Sequence, residues 1–114
     1  DEMISDSQLG VLFALVIEGP QNPSTLAARE HVAPPSMTRS LNELQKRGLI
    51  DRVQDREDAR KVDVIPTAAG EALAAETRRM RSEWFSQRIG ELSSAERAAL
   101  AAAIPVLRRL AEEE

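Results

Sequence analysis

No cysteine occurs in this chain, and that absence removes disulfides, thiolate metal sites and thiol redox sensing together. Histidine is nearly as scarce. His31 stands alone, so one chain cannot assemble a histidine-based metal site, and its place between helical segments reads as structural or surface rather than catalytic. Aromatics are limited to Phe13, Trp84 and Phe85. No apolar run approaches the roughly 20 residues of a membrane-spanning helix. No signal-peptide pattern is visible either, which makes the cytoplasm the expected location. A glycine-rich phosphate loop and a pair of acids spaced for a cleft are both missing, so nothing in the chain supports an enzyme, and no cofactor is expected.

A length of 114 residues allows one domain, or one domain with an appended helical part. A core of this size gains from burial shared with a second copy. The formal net charge of −4 argues against a polyanionic partner until its distribution is considered. Residues 1–20 carry four acids and no bases, residues 21–65 eight bases against seven acids, and residues 66–114 seven against eight. Only the middle is net basic, and phosphates respond to a local patch rather than to a total.

Capping chemistry and periodicity divide the chain into helices and one hairpin. Ser5 opens a capping-box pattern with Gln8, and Leu9, Leu12, Phe13 and Val16 follow on one helical face. Gly19-Pro20 ends that helix. A second, short helix starts at Asn22-Pro23 and ends about His31. His31-Val32-Ala33 reads as the tight turn of a helix-turn-helix, after which Pro34-Pro35 opens a third helix that runs to Arg47 and stops at Gly48. Two short strands, residues 49–53 and 62–66, flank a polar loop, residues 54–61. Thr67 caps a long helix from about Ala68 to Ile89, with a stripe of Ala69, Leu73, Met80 and Trp84 that shifts around to Phe85, Ile89 and Leu92. Ser93 and Glu96 form another capping box, and the final helix sets Leu100, Ile104, Leu107 and Ala111 on one face. Pro105 lies inside that helix. Interior proline costs roughly 3 kcal/mol in a regular helix, so a kink there or a break just before it is expected. The predicted fold class is mainly α with a small β-hairpin.

The third helix and the hairpin carry the functional signal. With Met37 at zero on a helical wheel, Leu41, Leu44 and Gly48 fall within about 40° of it and form the buried face. Pro35, Arg39, Asn42 and Lys46 lie opposite, flanked by Ser36 and Glu43. A helix of this kind followed by a charged hairpin is how a winged helix-turn-helix meets double-stranded DNA. Arg39 suits a guanine edge, Ser36 and Thr38 a phosphate or base, and Asn42 an adenine if the helix lies deep enough. Lys46 and Arg47 suit phosphates. Glu43 would repel phosphate unless paired with Arg39, Arg47 or a cytosine amine, with Arg47 at i+4 the plain choice. In the wing, Asp58 can hold Arg60 through charge-assisted bonds and present it, already ordered, to a narrow minor groove. Arg56 and Lys61 then suit phosphates.

The segment NPSTLAAREHVAPPSMTRSLNELQKRGLIDRVQDREDARKVDVIPTAAGEAL resembles the MarR family of bacterial transcription regulators. The matching pieces are the small-x-Leu-Ala of the second helix, the Thr-Arg of the third and the Leu-x-x-x-Gly-Leu-Ile-x-Arg exit. The wing Asp-x-x-Asp-x-Arg and the Thr-x-x-Gly opening the long helix complete the set. The resemblance implies a winged helix-turn-helix lobe over residues 1–66 and a helical dimerisation region over residues 67–114. It matches Arg39 to the family's base-contacting arginine and Arg60 to its minor-groove arginine. It further implies a homodimeric repressor on a pseudo-palindromic operator, released by a small, often aromatic or anionic effector. The family carries one more N-terminal helix, whereas this sequence starts directly at the first helix of the DNA-binding lobe, so that helix either precedes these residues or is missing from a shortened member. Trp84 and Met80 read as core or dimer-seam residues rather than as ligand contacts. The competing expectation is a winged-helix module that binds protein. The negative net charge favours it, and Arg39 and Arg60 at their matched positions oppose it.

Overall fold

The computed structural model of the protein describes residues 4–112. Five helices and one hairpin follow in the order α1 (Asp6–Glu18), α2 (Pro23–Glu30), α3 (Pro34–Lys46), β1 (Ile50–Gln54), β2 (Val62–Pro66), α4 (Ala68–Gly90) and α5 (Ser94–Glu112). Local chemistry sets most of the boundaries. The Ser5 hydroxyl accepts from the Gln8 N–H at 3.0 Å, and the Gln8 side-chain oxygen accepts from the Ser5 N–H at 2.9 Å, which starts α1. Asn22 Oδ1 accepts from the Thr25 N–H at 2.9 Å to start α2. His31, at φ 57°, closes α2 in the left-handed conformation and is exposed. No side chain caps α3. Its first two residues are prolines, which have no N–H to satisfy.

One compact unit extends through Thr77 and a second begins at Arg78. The first has a core of Val11, Leu12, Leu15, Leu26, Met37, Leu41, Leu44, Ile50 and Val64. Each of α1, α2, α3 and both strands supplies at least one of these side chains, so the core fixes the helix-turn-helix against the hairpin. The strands pair antiparallel with Ile50 opposite Pro66 and Gln54 opposite Val62. Gln21, between α1 and α2, adds a bridge that the sequence pattern did not signal: its N–H donates to Val64 O at 3.3 Å and its carbonyl accepts from the Val64 N–H at 2.7 Å. At the start of α4, Gly70 and Ala74 are buried and Leu73 packs on the core, whereas Ala69 is exposed. The inward face is therefore rotated from the expected stripe, because close backbone approach at Gly70 decides which side of the helix turns in.

In the second unit, Ser93 and Glu96 form their capping box at 3.1 and 2.9 Å. Met80, Trp84 and Phe85 on α4 are exposed, so Met80 and Trp84 are not core residues of this chain. Trp84 and Phe85 meet edge to face at 5.0 Å between centroids, and the Arg88 guanidinium lies 3.9 Å over the Trp84 ring. On α5, Leu100, Ile104, Leu107 and Ala111 are likewise exposed. The break expected before Pro105 does not occur, and α5 continues through it. The proline φ suits a helix, and the carbonyl of exposed Ala101, which loses its donor, can turn to water.

Candidate nucleic-acid interface

Burial of Met37, Leu41 and Leu44 turns the opposite face of α3 outward. Pro35, Ser36, Thr38, Arg39, Asn42 and Lys46 are all exposed on it. The Thr38 hydroxyl donates to Pro34 O at 3.1 Å, which leaves its oxygen lone pairs outward as acceptors. Glu43 has a partner that the sequence did not suggest. Gln8 Nε2, reaching from α1, donates to Glu43 Oε1 at 2.9 Å and to Ser40 O at 3.4 Å. Gln8 is buried, 6% exposed, and these bonds tie α1 to α3. Only the short-range half of Gln8's bonding, the capping box, was visible in sequence.

The wing is ordered by acceptors pointing back into the loop. Asp55 Oδ1 accepts from the N–H groups of Glu57 and Asp58 at 2.7 and 3.2 Å, an aspartate-closed turn. Gln54 Nε2 donates to Ala59 O at 3.1 Å, and the Lys61 N–H to Asp58 O at 2.9 Å. Asp58 Oδ1 then takes both the Arg60 N–H at 3.0 Å and Arg60 Nε at 3.1 Å, while Oδ2 lies 3.4 Å from a terminal guanidinium nitrogen. The Arg60 side chain is nevertheless 91% exposed. Its guanidinium, then its backbone N–H, hold the Asp58 carboxyl below the usual carboxylate range. Arg56 and Lys61 are exposed on the same loop.

Arg52 is a member of this surface that the helical wheel missed. It stands on β1, and its guanidinium reaches Gln45 Oε1 and Asn42 Oδ1 on α3, the latter at 3.1 Å. The available signal was strand alternation: Arg52 follows buried Ile50 by two and shares its face.

Comparison with known proteins resolves the kinship. The sequence model of the MarR family matches residues 4–62, more than half of the chain. The chain belongs to the MarR family. An HTH-type transcriptional regulator of Mycobacterium bovis is 39% identical over 110 residues, covering 96% of this MarR-family chain and 77% of the relative. A relative from Mycobacterium leprae has the same identity and coverage. Among solved structures, RV1404 of Mycobacterium tuberculosis superposes with a TM-score of 0.91 at 26% identity, over 100% of this chain and 78% of that one. FabT of Streptococcus pneumoniae, solved in complex with DNA, gives 0.81 at 24% identity, over 96% and 76%, and supports the fold. This MarR-family protein is thus a transcriptional regulator of winged helix-turn-helix architecture. Among its described residues no helix is long and apolar enough to cross a membrane.

Proposed function

We propose that this regulator is a homodimeric, sequence-specific repressor that grips a pseudo-palindromic operator. The observation that carries the reading is the wing: Arg60 is held by Asp58 in a loop braced by Asp55, yet stays almost wholly exposed. An ordered, solvent-facing guanidinium at a hairpin tip suits the minor groove. In this reading α3 enters the major groove. Arg39 takes a guanine edge, Asn42 reaches a neighbouring base, and Pro35, Ser36 and Thr38 sit at the helix start close to the duplex. Lys46, Arg56 and Lys61 contact phosphates. Family membership and the DNA-bound FabT structure support the same assignment. Release by a small effector and a cytoplasmic site of action are part of the same proposal, supported by family membership alone.

Selection of DNA from a random pool tests the reading. It should enrich a two-fold site whose halves lie about 10 bp apart, one turn of the duplex. Enrichment of no sequence would refute it.

A dimer is supported by the exposed apolar side chains of α4 and α5, Met80, Trp84, Phe85, Ile104, Leu107 and Leu110 among them. Light scattering at micromolar concentration should report a dimer. Substituting Leu107 with glutamate should shift the population toward monomer, and a wild-type monomer at that concentration would count against two-site recognition.

A further inference from the structure

Arg52 constrains what α3 can read. Its guanidinium donates to two side-chain amides one helical turn apart, Asn42 and Gln45. A guanidinium has five N–H donors and no acceptor, so an amide that meets it must present its oxygen. Both amides are therefore fixed with oxygen toward Arg52, which leaves their NH2 groups for anything outside. An unconstrained asparagine pairs with adenine by accepting from N6 and donating to N7 at once. With Oδ1 committed to Arg52, the accepting half of that pairing is weakened. The major-groove edge of guanine offers two acceptors, O6 and N7, and no donor, while cytosine offers an amine donor.

We propose that Arg52 is a specificity-determining positioning residue: by holding the carbonyl oxygens of Asn42 and Gln45 it makes this stretch of α3 a donor surface that selects guanine over adenine and cytosine. The inference rests on the DNA-binding reading above. Arg52 itself need not touch a base, and its effect is on which atoms of its neighbours do.

The test compares random-pool selections by the wild-type protein, Asn42→Ala and Arg52→Met. Asn42→Ala locates the position read by Asn42 as the one where preference flattens. At that position Arg52→Met should shift the guanine-to-adenine preference about tenfold toward adenine, the equivalent of about 1.4 kcal/mol, because the released amide regains its acceptor. Preference at the position assigned to Arg39 should stay as it was. A uniform loss of affinity with every base preference intact would overturn the proposal, since that is what a phosphate contact or a merely structural residue would give. If Arg52→Met proves unfolded by thermal melting, Asn42→Asp replaces it, keeping an acceptor for Arg52 while removing the donors. Loss of the guanine preference in Asn42→Asp is then the expected result, and its retention overturns the proposal. A wild-type protein that enriches no sequence refutes the DNA-binding reading and the proposal with it. A selected site whose preferences are all insensitive to Arg52 refutes the proposal alone.

Discussion

Replacing Gly70 with alanine should destabilise the protein by about 3 kcal/mol, at the upper end of what overpacking a tight site costs. Helix propensity alone predicts the opposite sign, since alanine in a helix interior is favoured over glycine by about 1 kcal/mol. The geometry decides against propensity. A Cβ at position 70 would lie 2.1 Å from the backbone oxygen of Leu49, 3.1 Å from its carbonyl carbon and 3.3 Å from Leu12 Cδ2. The first of these is backbone and cannot rotate away. Nor can α4 lift off freely. The Thr67 hydroxyl donates to Gly48 O at 2.6 Å and accepts from the Gly70 N–H at 3.1 Å, and the Thr67 N–H donates to Leu49 O at 3.1 Å. Leu49 is anchored in turn by its own N–H on Leu44 O at 3.0 Å. Relief of the clash would break the cap of α4 and open the core at Leu12. For a domain near 100 residues, a loss of this size lowers the melting temperature by about 10–20 °C. Urea or thermal unfolding of Gly70→Ala would measure it. Gly90→Ala is the control, because nothing lies within 4 Å of a Cβ there. A Gly70→Ala protein as stable as wild type would show that the start of α4 is not packed as described.

The same contrast between local and distant interactions explains what could be read from the sequence. Helix starts were legible because their chemistry closes within three residues: Ser5 with Gln8, Asn22 with Thr25, Ser93 with Glu96. The two faces of α3 were legible because a 3.6-residue period places Met37, Leu41 and Leu44 together whatever they pack against. The wing was legible because Asp58 and Arg60 are two residues apart. Gln8 shows the limit. Its capping role is local, but its bonds to Ser40 and Glu43 depend on how α1 crosses α3, which no short pattern encodes. Arg52 and the Gln21 bridge fail for the same reason. Trp84 marks a different limit: its spacing fits a core or a dimer seam alike, and its exposure removes only the core. Periodicity marks a face that needs cover, and the cover need not come from the same chain.

Arg60→Ala should weaken binding to the selected operator by about 1–3 kcal/mol, the usual cost of losing a good groove contact, with binding to unrelated DNA much less affected. Asp58 makes this more than a charge deletion. Removing a carboxylate from a loop proposed to face DNA lowers repulsion, so long-range electrostatics predict that Asp58→Ala tightens binding. The positioning argument predicts the reverse, because Asp58 holds Arg60 through its Nε and its backbone N–H, at 3.1 and 3.0 Å. A free guanidinium must then be ordered on binding, at an entropic cost that the paired one has already met. The expected pattern is a loss in Asp58→Ala smaller than that in Arg60→Ala, and a double variant no worse than Arg60→Ala alone, since without Arg60 the carboxylate has nothing to position. The pH dependence has a definite sign. The Arg60 guanidinium and N–H depress the Asp58 carboxyl in the folded state, so its ordering of the wing is complete above the ordinary aspartate value of about 3.9 and is lost only as pH falls through the lowered one. Operator affinity should therefore show no step from this pair between about pH 5 and pH 8. Titration of the four proteins against the selected site, at fixed salt, checks each part. Tighter operator binding by Asp58→Ala would mean that Arg60 is a mobile counter-charge rather than a held reader, and the wing would then contribute affinity without contributing to the choice of site.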